Sequence, residues 1–136
     1  MTPIAILLRL MQLYTHNAHN LVKGPVFMPD HSMLGDLYPT YESAYDDLIE
    51  RLIGKGEMPD LVAIQEQAVI QLKAKPAQVP ENKVYFEQIL MMEKQLCQSI
   101  ETYIVANKCS EGTKQMLGDM CDKSEMRQYK LSRRIK

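Results

Sequence analysis

All three histidines of this 136-residue chain fall within one 16-residue window, as His16, His19 and His31. Downstream of His31, Asp46 and Glu50 stand four residues apart. Neutral imidazole together with carboxylate is a ligand set that suits iron and other first-row metals, zinc included. Residues at i and i+4 share one face of a helix, so Asp46 and Glu50 would present two carboxylates side by side. The combination points to a metal site carried on helices.

Each group also has an ordinary reading. His16 is either a plain surface histidine or an additional ligand beside His19. Asp46 and Glu50 could form a solvated face or pair with Arg51; beside His19 and His31, ligation is the better reading.

Helices must position these groups. Thr2-Pro3 predicts a helix start, with a capping hydroxyl and a proline at the first helical position. Ile4, Leu7, Leu8, Met11 and Tyr14 or Thr15 continue at helical spacing to about Val22, before Gly24-Pro25. A second helix is expected from near Pro29-Asp30 to Gly54. Its apolar stripe is Leu34, Leu37, Tyr38, Tyr41, Tyr45, Leu48 and Leu52. Pro39, inside that stripe, predicts a kink or a local break. Residues 57–80 read as a long connection holding a short amphipathic helix, Asp60 to about Lys73. A further helix spans about Glu81 to Asn107, with Ile89, Met92, Leu96, Ile100 and Tyr103 on one side. Ser110 can cap a last helix through Met116, Leu117, Met120 and Tyr129. Four long helices with one long crossover suit a ferritin-like four-helix bundle, all-α, as a single domain over residues 1–136.

The usual ferritin-like di-iron centre uses a Glu-x-x-His pair on each of two helices. No Glu-x-x-His occurs here. Helix geometry supplies another arrangement. His31 lies 15 residues before Asp46 and 19 before Glu50. At a rise of about 1.5 Å per residue these separations are roughly 22 and 28 Å, too far for one ion. A two-fold axis pairing two second helices antiparallel would bring His19 and His31 of one chain to Asp46 and Glu50 of its mate, twice per dimer.

Composition fits this. A content of 46% hydrophobic and 24% charged residues leaves no case for disorder. Cys97, Cys109 and Cys121 lack zinc-type spacing and read as reduced thiols in a cytoplasmic protein. The apolar start MTPIAILLRLMQLY is interrupted by Arg9 and reads as a helix rather than a signal peptide, and no run approaches membrane-spanning length. The ten methionines read as flexible core filler. With a net charge of −1 overall and +5 over the last 14 residues, the remainder carries −6. Lys130, Arg133, Arg134 and Lys136 in that basic end could complement a helix dipole, or hold DNA through contacts multiplied over many subunits.

The stretch HNLVKGPVFMPDHSMLGDLY, followed by YDDLIERLIGKG, resembles the Dps family of mini-ferritins. The shared pattern is His19, Lys23-Gly24, His31 twelve residues after the first histidine, then Asp46 to Glu50-Arg51. A short helix in the long connection is also a feature of that family. The resemblance implies a hollow dodecamer built from two-fold dimers, with ferroxidase sites between subunits. Fe(II) would be oxidised mainly by peroxide and ferric mineral stored inside. Glu111, Asp119 and Asp122 would then be candidates for an iron-admitting pore near the start of the last helix. Two positions depart from the family pattern. Gly35 stands where a carboxylate is usual, with Asp36 next to it about 100° around the helix, and Asn20 stands where an aromatic residue is usual. The alternative expectation is a structural or DNA-compacting particle of the same build with a weakened metal site.

Overall fold

The computed structural model describes all 136 residues and contains five helices and no strand. They are α1 (Thr2–Leu21), α2 (Phe27–Gly54), α3 (Leu61–Lys73), α4 (Asn82–Ala106) and α5 (Glu111–Ile135). No helix is long and apolar enough to cross a membrane.

The ends of the helices follow from local chemistry. Ser110 Oγ accepts from the Thr113 amide and Asp60 Oδ1 from the Ala63 amide, so both act as N-caps. Thr2 does not: Met1 is the N-cap of α1, no side chain bonds there, and Thr2 is already helical. At the end of α2, Gly56 sits at φ +90. The Gly56 and Glu57 amides donate back to the carbonyls of Ile53 and Leu52. That is the paired closure a left-handed glycine permits. Gly24, at φ +87, turns the chain between α1 and α2. Pro39 causes no break, and α2 runs unbroken through it with the proline ring exposed.

Contacts between named residues give the topology. His19 meets His31 and Arg9 meets Tyr45, so α1 and α2 are antiparallel. Tyr14 meets Tyr85, and the backbone of Lys23 meets Asn82, so α4 is antiparallel to α1. Glu93 meets Ser124 and Cys97 meets Cys121, so α5 is antiparallel to α4. Hence α2 and α4 are parallel, and residues 55–81 travel back along the length of α2. Within that crossover, α3 buries Ile64 and Ala68 and packs on α1.

The core holds every apolar position expected of α1 and all but one of the α2 stripe. The exception is Tyr38, which is half-buried beside His16. Tyr129, expected on the apolar side of α5, is 63% exposed instead. The core also encloses charge. Glu93 is fully buried and accepts from Tyr41 Oη at 2.7 Å, Ser124 Oγ at 2.8 Å and Arg127 Nη2 at 3.1 Å, with Arg127 Nε on its other oxygen. A buried carboxylate so saturated with donors is a structural pin across α2, α4 and α5.

Candidate metal centre

The α1–α2 hairpin places His19 in the last turn of α1 and His31 in the second turn of α2. The two rings stack, with centroids 3.7 Å apart and planes 20° from parallel. Each ring bonds the other residue's backbone. His19 Nδ1 lies 2.7 Å from the His31 carbonyl, and His31 Nδ1 lies 2.8 Å from the His19 carbonyl. A carbonyl oxygen only accepts, so both Nδ1 atoms carry the hydrogen. In the neutral rings Nε2 is then the free lone pair. A backbone carbonyl on the far nitrogen is a common way to orient a metal-binding histidine.

The stack continues on both sides. Phe27 covers His31 at 4.8 Å, Tyr38 lies 5.5 Å from His19, and His16 stacks on Tyr38 at 4.0 Å and 2°. His16 is therefore engaged by an aromatic ring, 6.3 Å from His19 between ring centroids.

Gly35 has a steric reason. A Cβ built there would lie 3.0 Å from His19 Cε1 and 3.2 Å from His19 Nδ1. The ring of His19 thus occupies the space above Gly35, one turn beyond His31. Asp36 lines a groove of about 1450 Å³ between α2 and α5. It lies away from the face on which His31 and Gly35 meet α1.

Asp46 and Glu50 are exposed near the other end of α2. Glu50 borders a small cleft with Asp47, Arg51 and Lys55. Because α2 is unbroken, the sequence-based separation of roughly 22 and 28 Å from His31 stands. Within one chain, no group of three or more His, Cys, Asp or Glu side chains is arranged to hold a metal ion. The fold brings together the two histidines and leaves the two carboxylates elsewhere.

The remaining expected groups are dispersed. Glu111 sits exposed in the first turn of α5 and Asp122 is exposed further along. Asp119 lines the α2–α5 groove, as do Lys130 and Arg133. Lys136 is exposed at the end of the chain. Arg134 is not a free surface cation: its Nε and Nη2 donate to Asp30 Oδ1 and Oδ2 at 2.7 and 2.8 Å. Asp30 is almost fully buried and also accepts from Asn82 Nδ2 at 3.0 Å. The Asn82 amide brackets the backbone of Lys23, donating to its carbonyl and accepting from its N–H. Sequence reasoning missed this clamp around the histidine-bearing turn, though Asp30 lies in phase with Leu34, Leu37 and Tyr41.

The chain matches no protein-family model and no curated protein.

Proposed function

We propose that this chain is a ferritin-like subunit that binds Fe(II) between two copies and oxidises it with peroxide. The observation that carries this reading is the reciprocal bonding of His19 and His31. It commits both Nδ1 atoms to backbone and leaves both Nε2 atoms for a metal.

The ring stack adds a constraint. A ligated ion lies in the plane of its imidazole. Two rings stacked 3.7 Å apart, with planes 20° from parallel, have lone pairs in separate planes that do not converge on one ion. They suit one ion per ring. Two Fe(II) ions supply the two electrons that cleave the O–O bond of hydrogen peroxide. With two protons the products are two Fe(III) and two waters, so no one-electron fragment of peroxide is released. The residues of this chain bind and orient the iron, which is substrate.

Carboxylates are needed to complete such a site, and Asp46 and Glu50 cannot come from the same chain as the histidines they would join. An antiparallel two-fold pairing of α2 helices supplies them from a mate. The outer face of α3 supports self-association, since Leu61, Val62 and Ile70 are 45%, 68% and 58% exposed. Apolar surface of this kind marks contact sites. A cage of such dimers would store the ferric product.

Anaerobic Fe(II) titration followed by peroxide, read by the rise of ferric absorbance, tests the reading alongside native mass measurement. The expected result is saturable Fe(II) binding, prompt oxidation and an oligomer. A stable monomer at micromolar concentration, or Fe(II) oxidised no faster than in buffer, would overturn it.

A further inference from the structure

Three cysteines remain outside this chemistry, and two of them face each other. Cys97 lies on α4 and Cys121 on α5. Cys97 Sγ donates to the carbonyl of Cys121 at 3.7 Å and accepts from Gln128 Nε2 at 3.5 Å. One turn along the same seam, the short Ser124 side chain reaches the Glu93 carbonyl at 3.2 Å. A serine hydroxyl and a cysteine thiol can touch the opposite backbone at successive turns only if the two helices run unusually close. That is the condition for bridging, since a disulfide needs Cα atoms within about 4.4–6.8 Å. Cys109 is excluded as a partner. It sits in the α4–α5 turn, about 12 residues from either thiol, or roughly 18 Å at a helical rise.

We propose that Cys97 and Cys121 are a modification site that closes to an intramolecular disulfide when the protein meets a hydroperoxide, cross-linking α4 to α5. Cys121 is the part-exposed member and Cys97 the buried one, so the oxidant reaches Cys121 first. Its thiolate attacks the peroxide O–O bond, which breaks to give a sulfenic acid and an alcohol or water. The Cys97 sulfur then attacks the Cys121 sulfur and expels hydroxide, which leaves as water with the Cys97 proton. In sum two thiols and one hydroperoxide become one disulfide, one alcohol (or water) and one water. Two electrons pass from sulfur to oxygen.

The surroundings make this a guarded site. Burial, and next the neighbouring Cys97 thiol, push the Cys121 thiol from 9.0 up to about 12, with Glu101 on α4 and Glu125 on α5 acting in the same direction. Little thiolate exists at neutral pH, so cross-linking is slow there. Below that value the thiolate fraction, and with it the cross-linking rate, rises about tenfold per pH unit. The proposal stands apart from the iron chemistry and needs no metal.

The test is peptide mapping by mass spectrometry of metal-free protein after hydrogen peroxide, between pH 7 and pH 9. The expected product has lost two hydrogens and carries a Cys97–Cys121 linked peptide. It should form faster at the higher pH and be reversed by dithiothreitol. Cys109→Ser should form it as wild type does, whereas Cys97→Ser should leave Cys121 oxidised singly. Oxidation of Cys109 while Cys97 and Cys121 stay thiols at pH 9 would overturn the proposal. So would separate sulfinic acids at both positions in wild type. Neither result depends on whether a variant folds.

Discussion

Arg134 closes onto Asp30 across 104 residues of chain, one guanidinium nitrogen to each carboxylate oxygen. Asp30 immediately precedes His31, and Asn82 links the same carboxylate to the backbone of Lys23. The end of α5 and the start of α4 are thereby fastened to the turn between the two histidines. Burial by itself would push the Asp30 carboxyl up. The Arg134 and Asn82 hydrogen bonds and the guanidinium charge overcome it and hold the group below the usual carboxylate range.

Removing Arg134 strands a buried carboxylate with only Asn82 as partner. Arg134→Ala should destabilise the fold by about 1–3 kcal/mol, the usual cost of leaving a buried acceptor poorly satisfied. Arg134→Lys keeps the charge without the two-pronged geometry and should fall between. Asp30→Asn combined with Arg134→Gln should lose less than the two single changes together, because the partners act as a unit. Urea unfolding of wild type, Arg134→Ala, Arg134→Lys, Asp30→Asn, Arg134→Gln and the double variant measures this. Wild-type stability in Arg134→Ala would show that the pair does not hold the turn.

The same pair marks where sequence reading ends. Helix extents were legible because apolar spacing, Ser110, Asp60 and the Gly54-Lys55-Gly56 stop all act locally. The separation of the histidines from Asp46 and Glu50 was equally legible, being only helical rise. By position in the chain Arg134 belongs to a basic tail, yet it is paired with Asp30. Phase was the better guide. Leu117, Met120, Ser124, Arg127, Leu131 and Arg134 follow one stripe of α5, and Glu93 lies in phase with Phe86, Ile89, Leu96 and Ile100. A charge on an apolar stripe requires a buried counter-charge, but which one is a matter of tertiary contact. The His19 ring above Gly35 was likewise invisible, since a glycine in a helix does not announce what fills its space.

That contact changes what a substitution at position 35 should do. A methyl at 3.0 Å from His19 Cε1 forces the ring to give by a few tenths of an ångström, against its short hydrogen bond to the His31 carbonyl and its stack on the His31 ring. Gly35→Ala should therefore weaken Fe(II) or Zn(II) binding, despite gaining roughly 0.5–1 kcal/mol of helix preference. Gly35→Asp suffers the same displacement but adds a carboxylate. It should bind metal more tightly than Gly35→Ala. Calorimetric titration of the three proteins decides. Equal affinity for wild type and Gly35→Ala would mean that the position of the His19 ring does not govern binding.

Alkaline conditions should loosen the core. Burial, then Tyr85, raises Tyr14 from 10.0 to about 12. Burial and then the Glu93 charge push Tyr41 well above 10.0, against Arg127. Cys121 rises from 9.0 to about 12. Each acid holds its proton more tightly when folded. Its contribution to stability is thus complete below its unfolded value and is lost as pH climbs towards the folded value. The urea midpoint should stay level to about pH 9 with respect to these groups and then fall towards about pH 12. Cys121→Ser should delay the onset. A midpoint that holds steady to pH 11 would contradict the assignment.

The proposed two-chain site makes its own prediction about mixtures. His31→Ala removes one Nε2 ligand from every site of a homodimer, and Glu50→Ala removes one carboxylate from every site. Each variant alone should lose most Fe(II) binding. Both residues are off the buried core, His31 being half-buried and Glu50 exposed, so both variants should fold. If the ligands of one site come from two chains, a dimer with one subunit of each kind is asymmetric. One of its sites takes histidine from the Glu50→Ala subunit and carboxylate from the His31→Ala subunit, and is intact. The other lacks both. Unfolding the two variants together and refolding them in equal amounts gives such mixed dimers in about half of all pairs, and one site in two is intact in each. About a quarter of wild-type ferroxidase activity should return. Native mass measurement of differently tagged chains confirms that mixing has occurred. Proven mixing without recovered activity would mean that His31 and Glu50 do not meet across an interface, and the two-fold site would have to be abandoned.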